Sequence, residues 1–404
     1  MRAGAPVSLI RLLGFGTVVL LAMTLLHGYL WFRLVRGTTP PGQVRRRLTL
    51  LTVGLMLLPV LAISLRRTLP LGASAPLDWV AYSWLGIAFY GFLALLFLEP
   101  VRLVGRLLLR RRRDEALPEG PPDPARRLFL ARSLAVTAGA IALGTAGTGA
   151  YFANSAPVVR RVPVTLAGLD PSLDGLRIVT FSDGHLSATY GGRRFERLVE
   201  LVNEQRPDVV AIVGDLVDGD VSELREEAAP LADLVSAQGV FFVTGNHEYF
   251  VDTNAWLRHL PTLGVDVLRN ERVAIRRGAA SFDLAGIDDR TAASSGLPGH
   301  GADLDAALDG RDDATPVVLL AHQPVMVDQA RAAGVGLQLS GHTHGGQLWP
   351  FDYAIRLDQP SVEGLTRHGD TQLYVTSGAG YWGPPMRIGA RPEVTVVELR
   401  PLPG

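Results

Sequence analysis

Five short segments hold most of the residues in this chain that could do chemistry. They are Ser182-Asp183-Gly184-His185, Gly214-Asp215-Leu216-Val217-Asp218, Thr244-Gly245-Asn246-His247-Glu248, Ala321-His322-Gln323-Pro324 and Gly341-His342-Thr343-His344-Gly345-Gly346. Their donors are carboxylate, amide oxygen and imidazole, a set that suits Mn²⁺, Fe, Zn²⁺ or Mg²⁺. The chain has no cysteine, which excludes thiolate metal sites, disulfides and cysteine nucleophiles. The candidate ligands are Asp183, His185, Asp215, Asn246, His322, His342 and His344. That set exceeds the demand of one ion and fits two ions sharing a bridging carboxylate. Buried without a cation, so many carboxylates and imidazoles together would be too costly.

Each segment begins within two residues of a short apolar run, at Leu176–Phe181, Val209–Val213, Val240–Val243, Val317–Leu320 and Leu337–Leu339. Further runs lie at Phe282–Ala285, Leu373–Thr376 and Val394–Leu399. Continuous rather than alternating apolar character predicts strands buried on both faces. The carboxyl ends of strands in an open α/β sheet share one rim, so segments far apart in sequence can deliver side chains to one place. Between the first two runs, Arg194–Gln205 reads as a helix with Phe195, Leu198, Val199 and Val202 on one face. Glycines 214, 245 and 341 would let the backbone turn sharply beside the ligands.

The front of the chain is a different object. Residues 1–155 hold 18 Arg against 6 acidic residues, although the whole chain has zero formal net charge. Four apolar stretches, near 9–32, 48–65, 79–98 and 128–152, approach or exceed the roughly 20 residues that cross a bilayer. The first connection carries Arg33, Arg36 and Arg45 to Arg47; the third carries Arg102, Arg106, Arg110 to Arg113, Arg126 and Arg127. By the positive-inside rule both are cytoplasmic, which places residues 156–404 on the extracytoplasmic side of the plasma membrane. Arg126-Arg127 ahead of the Gly- and Ala-rich Ala135–Ala150 resembles a twin-arginine export signal; the same pair also serves as a positive-inside flank. Ala153-Asn154-Ser155-Ala156 is a poor cleavage site but a usable one, so release of the domain stays open. The expected domains are thus an anchor over 1–155 and a catalytic domain over 156–404. The back half is acidic, so no nucleic-acid binding surface is evident.

The series Asp-x-His, Gly-Asp-x-x-Asp, Gly-Asn-His-Glu, His and Gly-His-x-His resembles the calcineurin-like metallophosphoesterases across residues 173–400. Leu339–Gln347 and Gly380–Arg387 resemble the branch with transmembrane anchors. The resemblance implies a four-layer αββα sandwich of two mixed sheets, here preceded by about four transmembrane helices. It also implies two divalent ions (Mn, Fe, Zn or Mg). Asp183, His185 and His344 would hold one, Asn246, His322 and His342 the other, and Asp215 would bridge them. His247 would stay free of metal near the leaving group, with Asp218 orienting it; a turn or cap role is the alternative for Asp218. The implied reaction is hydrolysis of a phosphodiester or pyrophosphate by in-line attack of a hydroxide held between the ions. Gly184 departs from the larger residue usual in the family, at a position that is not a ligand. Gly219 stands where related protein phosphatases carry Arg.

Weaker positions remain open at this level. Arg387 is expected either to contact a substrate phosphate or to form a structural ion pair. Asp288 and Asp289 read as turn residues, and Glu248 either supports the ligands or is solvated. Tyr249, Phe250 and Trp256 read as core, with a lipid-facing mouth as the other reading. Among functions, a lipid-linked pyrophosphatase of the UDP-2,3-diacylglucosamine type is the runner-up, and an inactive metal-stabilised binding module is the reading from another class. The expected partners are a phosphoester substrate, lipid-linked in the runner-up reading, and the membrane.

Overall fold

The computed structural model describes residues 9–66, 68–115 and 124–402, so residues 1–8, 67, 116–123 and 403–404 lie outside it. Two compact units emerge, Met1–Ala150 with Gly383–Pro385, and Tyr151–Trp382 with Met386–Gly404.

In the first unit, α1 (Leu9–Leu30), α2 (Gln43–Leu65), α3 (Leu71–Glu115) and α4 (Pro124–Asn154) are the four apolar helices. All four contain a stretch long and apolar enough to cross a membrane. α3 is much longer than the apolar run at 79–98. Its helix continues through the Leu- and Arg-rich stretch beyond, because those residues are good helix formers and only their charge ends the apolar run. The helices meet through small residues, with Ala88, Ala94 and Ala138 buried beside Leu30 and Leu95. Their polar groups pair with one another. Trp84 Nε1 donates to His27 Nε2 at 3.0 Å, and Glu99 accepts from Tyr29 Oη at 3.0 Å while bridging Arg33 and Arg102.

In the second unit the strands are β1 (Val158–Leu166), β2 (Arg177–Phe181), β3 (Val209–Val213), β4 (Val240–Val243), β5 (Val265–Val267), β6 (Glu271–Arg277), β7 (Ala280–Gly286), β8 (Val317–Leu320), β9 (Leu337–Ser340), β10 (Gly364–His368), β11 (Thr371–Val375) and β12 (Glu393–Pro401). They form two six-stranded mixed sheets, ordered β1-β12-β2-β3-β4-β5 and β10-β11-β9-β8-β7-β6. Ile178, Val209, Val213 and Val243 of the first sheet pack with Phe282, Leu284, Val318, Leu337 and Leu339 of the second, so the main core lies between the sheets. On the outer face of the second sheet, Val317 and Leu319 pack against Leu304, Ala307 and Ala330 of two short helices. On the first sheet, α5 (Arg193–Glu204) connects the parallel neighbours β2 and β3 and buries Phe195, Leu198, Val199 and Val202. Such a crossover lies on a sheet face. The result is the four-layer sandwich.

All eight anticipated strands are present. The four that the apolar runs did not reveal are β1, β5, β6 and β10, the two edges of each sheet. An edge strand faces solvent along one side, so it carries charge and proline: Arg160, Arg161 and Pro163 in β1, Glu271, Arg272, Arg276 and Arg277 in β6.

Candidate metal centre

The loops after β2, β3, β4, β8 and β9 meet on one rim, fastened to each other by backbone bonds. Asp183 N–H donates to Gly214 O at 3.0 Å, His185 N–H to Asp215 O at 3.1 Å, and Gly341 N–H to His322 O at 2.9 Å. Side chains join the two sheets across this rim. His322 Nδ1 lies 2.7 Å from Val213 O on β3, and His342 N–H donates to Asp183 Oδ1 at 3.0 Å.

Six of the seven candidate ligands gather accordingly. Asp183, His185 and His344 place one donor atom each within 4.8 Å of one another, and Asp215, His322 and His342 do the same. A third overlapping set is His185, Asp215 and His247. Asp215 therefore stands between the groups. Five of the eight described non-glycine residues with positive φ belong to these sets: Asp183, His185, Asp215, His342 and His344. That left-handed backbone is unfavourable for residues with a Cβ, and its concentration here marks a functional rim. The glycines serve close approach rather than bending alone. A Cβ on Gly245 would strike Asp215 Oδ1, and one on Gly341 would strike Ser182 and Asp183.

The residues fit divalent cations on their own geometry. His322 gives its Nδ1 proton to Val213 O, which leaves a lone pair on Nε2, and that atom has no hydrogen-bond partner although Asp215 Oδ2 is only 3.1 Å away. Two lone pairs so close need positive charge between them. Burial lowers the His322 pKa but the Asp215 carboxylate overrides it and holds the value well above the ordinary one, so without a metal ion a proton on Nε2 supplies that charge, and a bound cation would take its place. Asn246 Oδ1 is likewise buried without a partner. His185 Nε2 and His344 Nε2 stand 2.9 Å apart while His185 Nδ1 is engaged by Asp218 at 3.0 Å. Burial first, and then the charge of His322, holds the His342 pKa down to about 4; burial and His185 lower that of His344. Metal coordination wants such neutral imidazoles.

Asp218 Oδ1 is shared, 3.0 Å from His185 Nδ1 and 2.7 Å from His247 Nδ1. Burial lowers the His247 pKa, yet the Asp215 and Asp218 carboxylates lift it to about 9. The imidazole sits between two aromatic rings, with centroids 5.1 Å away at Phe250 and 5.5 Å at Trp382.

A model of the calcineurin-like phosphoesterases matches residues 176–346. A protein of Danio rerio named "Transmembrane protein with metallophosphoesterase domain" is 39% identical over 80% of this chain and 74% of its own length. The Bos taurus protein of that name is 40% identical over 70% and 66% respectively. The chain belongs to the calcineurin-like metallophosphoesterases. An uncharacterized metallophosphoesterase of Helicobacter pylori strain J99, 36% identical over 69% of this chain and 73% of its own length, extends the likeness to bacteria. Membership makes this chain a metal-dependent phosphoester hydrolase, and relatives named as transmembrane proteins accord with its four apolar helices.

Within this metallophosphoesterase, some residues stand differently from expectation. Arg387 is wholly buried, and its guanidinium donates to the carbonyls of His344, Ser377, Gly378 and Gly380. With its donors spent on these carbonyls and on His344 Nδ1, 3.3 Å from Nη2, it has none left for a substrate phosphate and forms no ion pair among the described residues; it ties the β11 loop to the His344 turn. Phe250 is 64% exposed rather than core, whereas Trp256 is buried and donates to Gly219 O. Asp288 forms a two-pronged ion pair with Arg269, while Asp289 accepts from Thr291 N–H as a turn residue would.

Glu248 was left open by the sequence and is the organiser of the rim. Its buried carboxylate accepts from the backbone N–H groups of Asp215 (2.9 Å), Leu216 (2.8 Å), Val217 (3.3 Å) and Gly245 (2.7 Å). The one available signal was spacing, because a Glu three residues after Gly245 can reach back to its amide as in a helix capping box.

Proposed function

We propose that this chain is a membrane-anchored phosphodiesterase or pyrophosphatase working with two divalent ions. The observation that carries the reading is the chain of overlapping three-donor sets, in which Asp183, His185 and His344 form one, Asp215, His322 and His342 another, and Asp215 also groups with His185, with orphaned donors at His322 Nε2 and Asn246 Oδ1. Asp183, His185 and His344 would hold one ion, Asn246, His322 and His342 the other, and Asp215 both. Bound ions would supply an activated water and neutralise phosphoryl charge. The water oxygen bonds to phosphorus as the bond to the leaving oxygen breaks, and a proton goes to that oxygen.

The chain's own residues do the rest. Asp218 fixes the Nδ1 side of His247, so the other ring nitrogen is the one available to the leaving oxygen. Proton transfer by such a positioned imidazole contributes about 10²–10⁴ in rate. Glu248 and Arg387 hold the loops that carry Asp215 and His344. The Arg-rich connection between α1 and α2 supports an extracytoplasmic catalytic unit in the plasma membrane.

The test is elemental analysis of the purified full chain together with hydrolysis of bis-p-nitrophenyl phosphate and its monoester. Two equivalents of divalent metal and a preference for the diester are expected. Asp215→Asn should lose both metal and turnover; retention of both in that variant refutes the reading.

A further inference from the structure

Buried charge fastens two parts of the metal rim: Glu248 holds the Asp215 and Gly245 amides, and Arg387 holds the His344 turn. The Asn246 and His322 side has a third such group, in the loop after β7. Asp289 is 1% exposed. Its backbone N–H donates to Thr244 Oγ1 at 3.0 Å, two residues before Asn246. Its carboxylate accepts from Gln323 Nε2 through both oxygens at 3.0 Å, one residue after His322. Thr244 and Gln323 are themselves buried. Since β4 belongs to the first sheet and β7 and β8 to the second, this one residue joins the sheets beside two candidate ligands.

A turn residue needs only the bonds from Thr291, whose N–H and hydroxyl donate to Asp289 Oδ1 at 2.8 and 2.6 Å. The bonds to Gln323 and Thr244 exceed that need. Gln323 is held in turn, because its Oε1 accepts from Gln359 Nε2 at 3.4 Å. Charge is also left over. The donors to the Asp289 carboxylate are neutral, while Arg269 pairs with Asp288 and Arg290 with Asp358. A buried carboxylate that keeps its charge beside a cation site favours occupation of that site. Its field reaches His322, whose pKa burial lowers and the carboxylates of Asp215, then Asp183 and Asp289, raise.

We propose that Asp289 is a positioning residue for the second ion. It fixes the separation of Asn246 and His322 and adds negative charge to their side of the centre, while the Asp183, His185 and His344 site does not depend on it. This rests on the two-ion reading above.

The experiment titrates the metal-free full chain, in detergent, with Mn²⁺ alone and follows uptake by calorimetry. Two steps are expected of the wild type. Asp289→Asn, which removes charge but little volume, should weaken one step about 10–100-fold and leave the other within about threefold. Thr244→Val, which keeps the charge and cuts the link to the β4 loop, should weaken the same step, the one that His322→Ala abolishes. Both steps unchanged, both weakened alike, or the other step weakened overturns the inference; a purely structural role would lower Tm without separating the steps. A single step in the wild type would instead strike the two-ion reading, and the inference then stands only if Asp289→Asn weakens that step about 10–100-fold. A second readout needs no ion. In the metal-free chain Asp289→Asn should speed amide exchange in peptides spanning 244–247 and 322–325 and leave 183–185 unchanged. Unaltered exchange in the first two peptides overturns the inference whatever the metal does.

Discussion

Replacing Glu248 by Gln removes one charge and changes almost no volume, so its consequence can be worked from hydrogen bonds alone. One carboxylate oxygen accepts from Asp215 and Gly245, the other from Leu216 and Val217. The amide keeps one oxygen and turns an NH₂ group toward the other two amides. Those two buried donors lose their acceptor, at about 1–3 kcal/mol each, or about 2–6 kcal/mol together. In a domain of about 150–250 residues, where 1 kcal/mol moves Tm by about 2–4 °C, the fall should be roughly 4–24 °C. Scanning calorimetry of the full chain measures this. Hydrogen exchange at Asp215, Leu216, Val217 and Gly245 locates it, because their protection should fall about tenfold for each 1.4 kcal/mol lost. A Tm within about 1 °C of wild type with unchanged protection, the behaviour of a solvated surface residue, would refute the claim that this carboxylate ties the β3 and β4 loops together.

Asp218→Asn should keep the fold and lower kcat by about 10²–10⁴, because His247 loses the group that fixes its tautomer; kcat within a factor of two of wild type would exclude that positioning role. Arg387→Lys should lower Tm while leaving KM for bis-p-nitrophenyl phosphate unchanged, since the guanidinium serves carbonyls; a raised KM with unchanged Tm would restore a substrate contact. His344→Ala should retain less metal than wild type by elemental analysis, and full retention would remove this residue from the ligand set. Because the chain has no cysteine, Val235→Cys provides a single label at an exposed point of the catalytic unit. A membrane-impermeant maleimide should modify it in intact cells, and labelling only after lysis would reverse the proposed orientation.

How much of this fold was legible depends on where each strand lies. A strand with neighbours on both sides and layers on both faces has no solvent to accommodate, so β3, β4 and β8 are written almost wholly in Val, Leu, Ile, Ala and Phe. An edge strand answers to two environments at once. In β6 only Ile275 is buried, among residues that alternate into water. Its composition alone suits a loop, and what makes it a strand is pairing with β7 over seven residues, a tertiary fact. The helix between β2 and β3 was legible for the opposite reason, since one stripe of four apolar residues specifies both the helix and its buried face.

The candidate ligands were legible because their types are rare inside proteins and their spacing repeats after strands. The residues that hold them in place announced nothing. Arg387 sits in a glycine-rich loop, and a basic residue there reads as substrate-facing when a phosphate is expected. Burial decides otherwise, because a guanidinium can leave water only where fixed oxygens replace its hydration, and here they are the carbonyls of His344, Ser377, Gly378 and Gly380. Glu248 is the mirror case, an anion whose replacement for water is a set of amides. Both rims of the centre are therefore built from one charge set into complementary backbone, and that backbone is the part bent into positive φ at Asp215 and His344. Strained turns persist only where their surroundings over-determine them. The buried charge on each side supplies that restraint, which is why these two side chains, though they lie outside the donor sets, should matter to metal retention as much as the ligands they fasten.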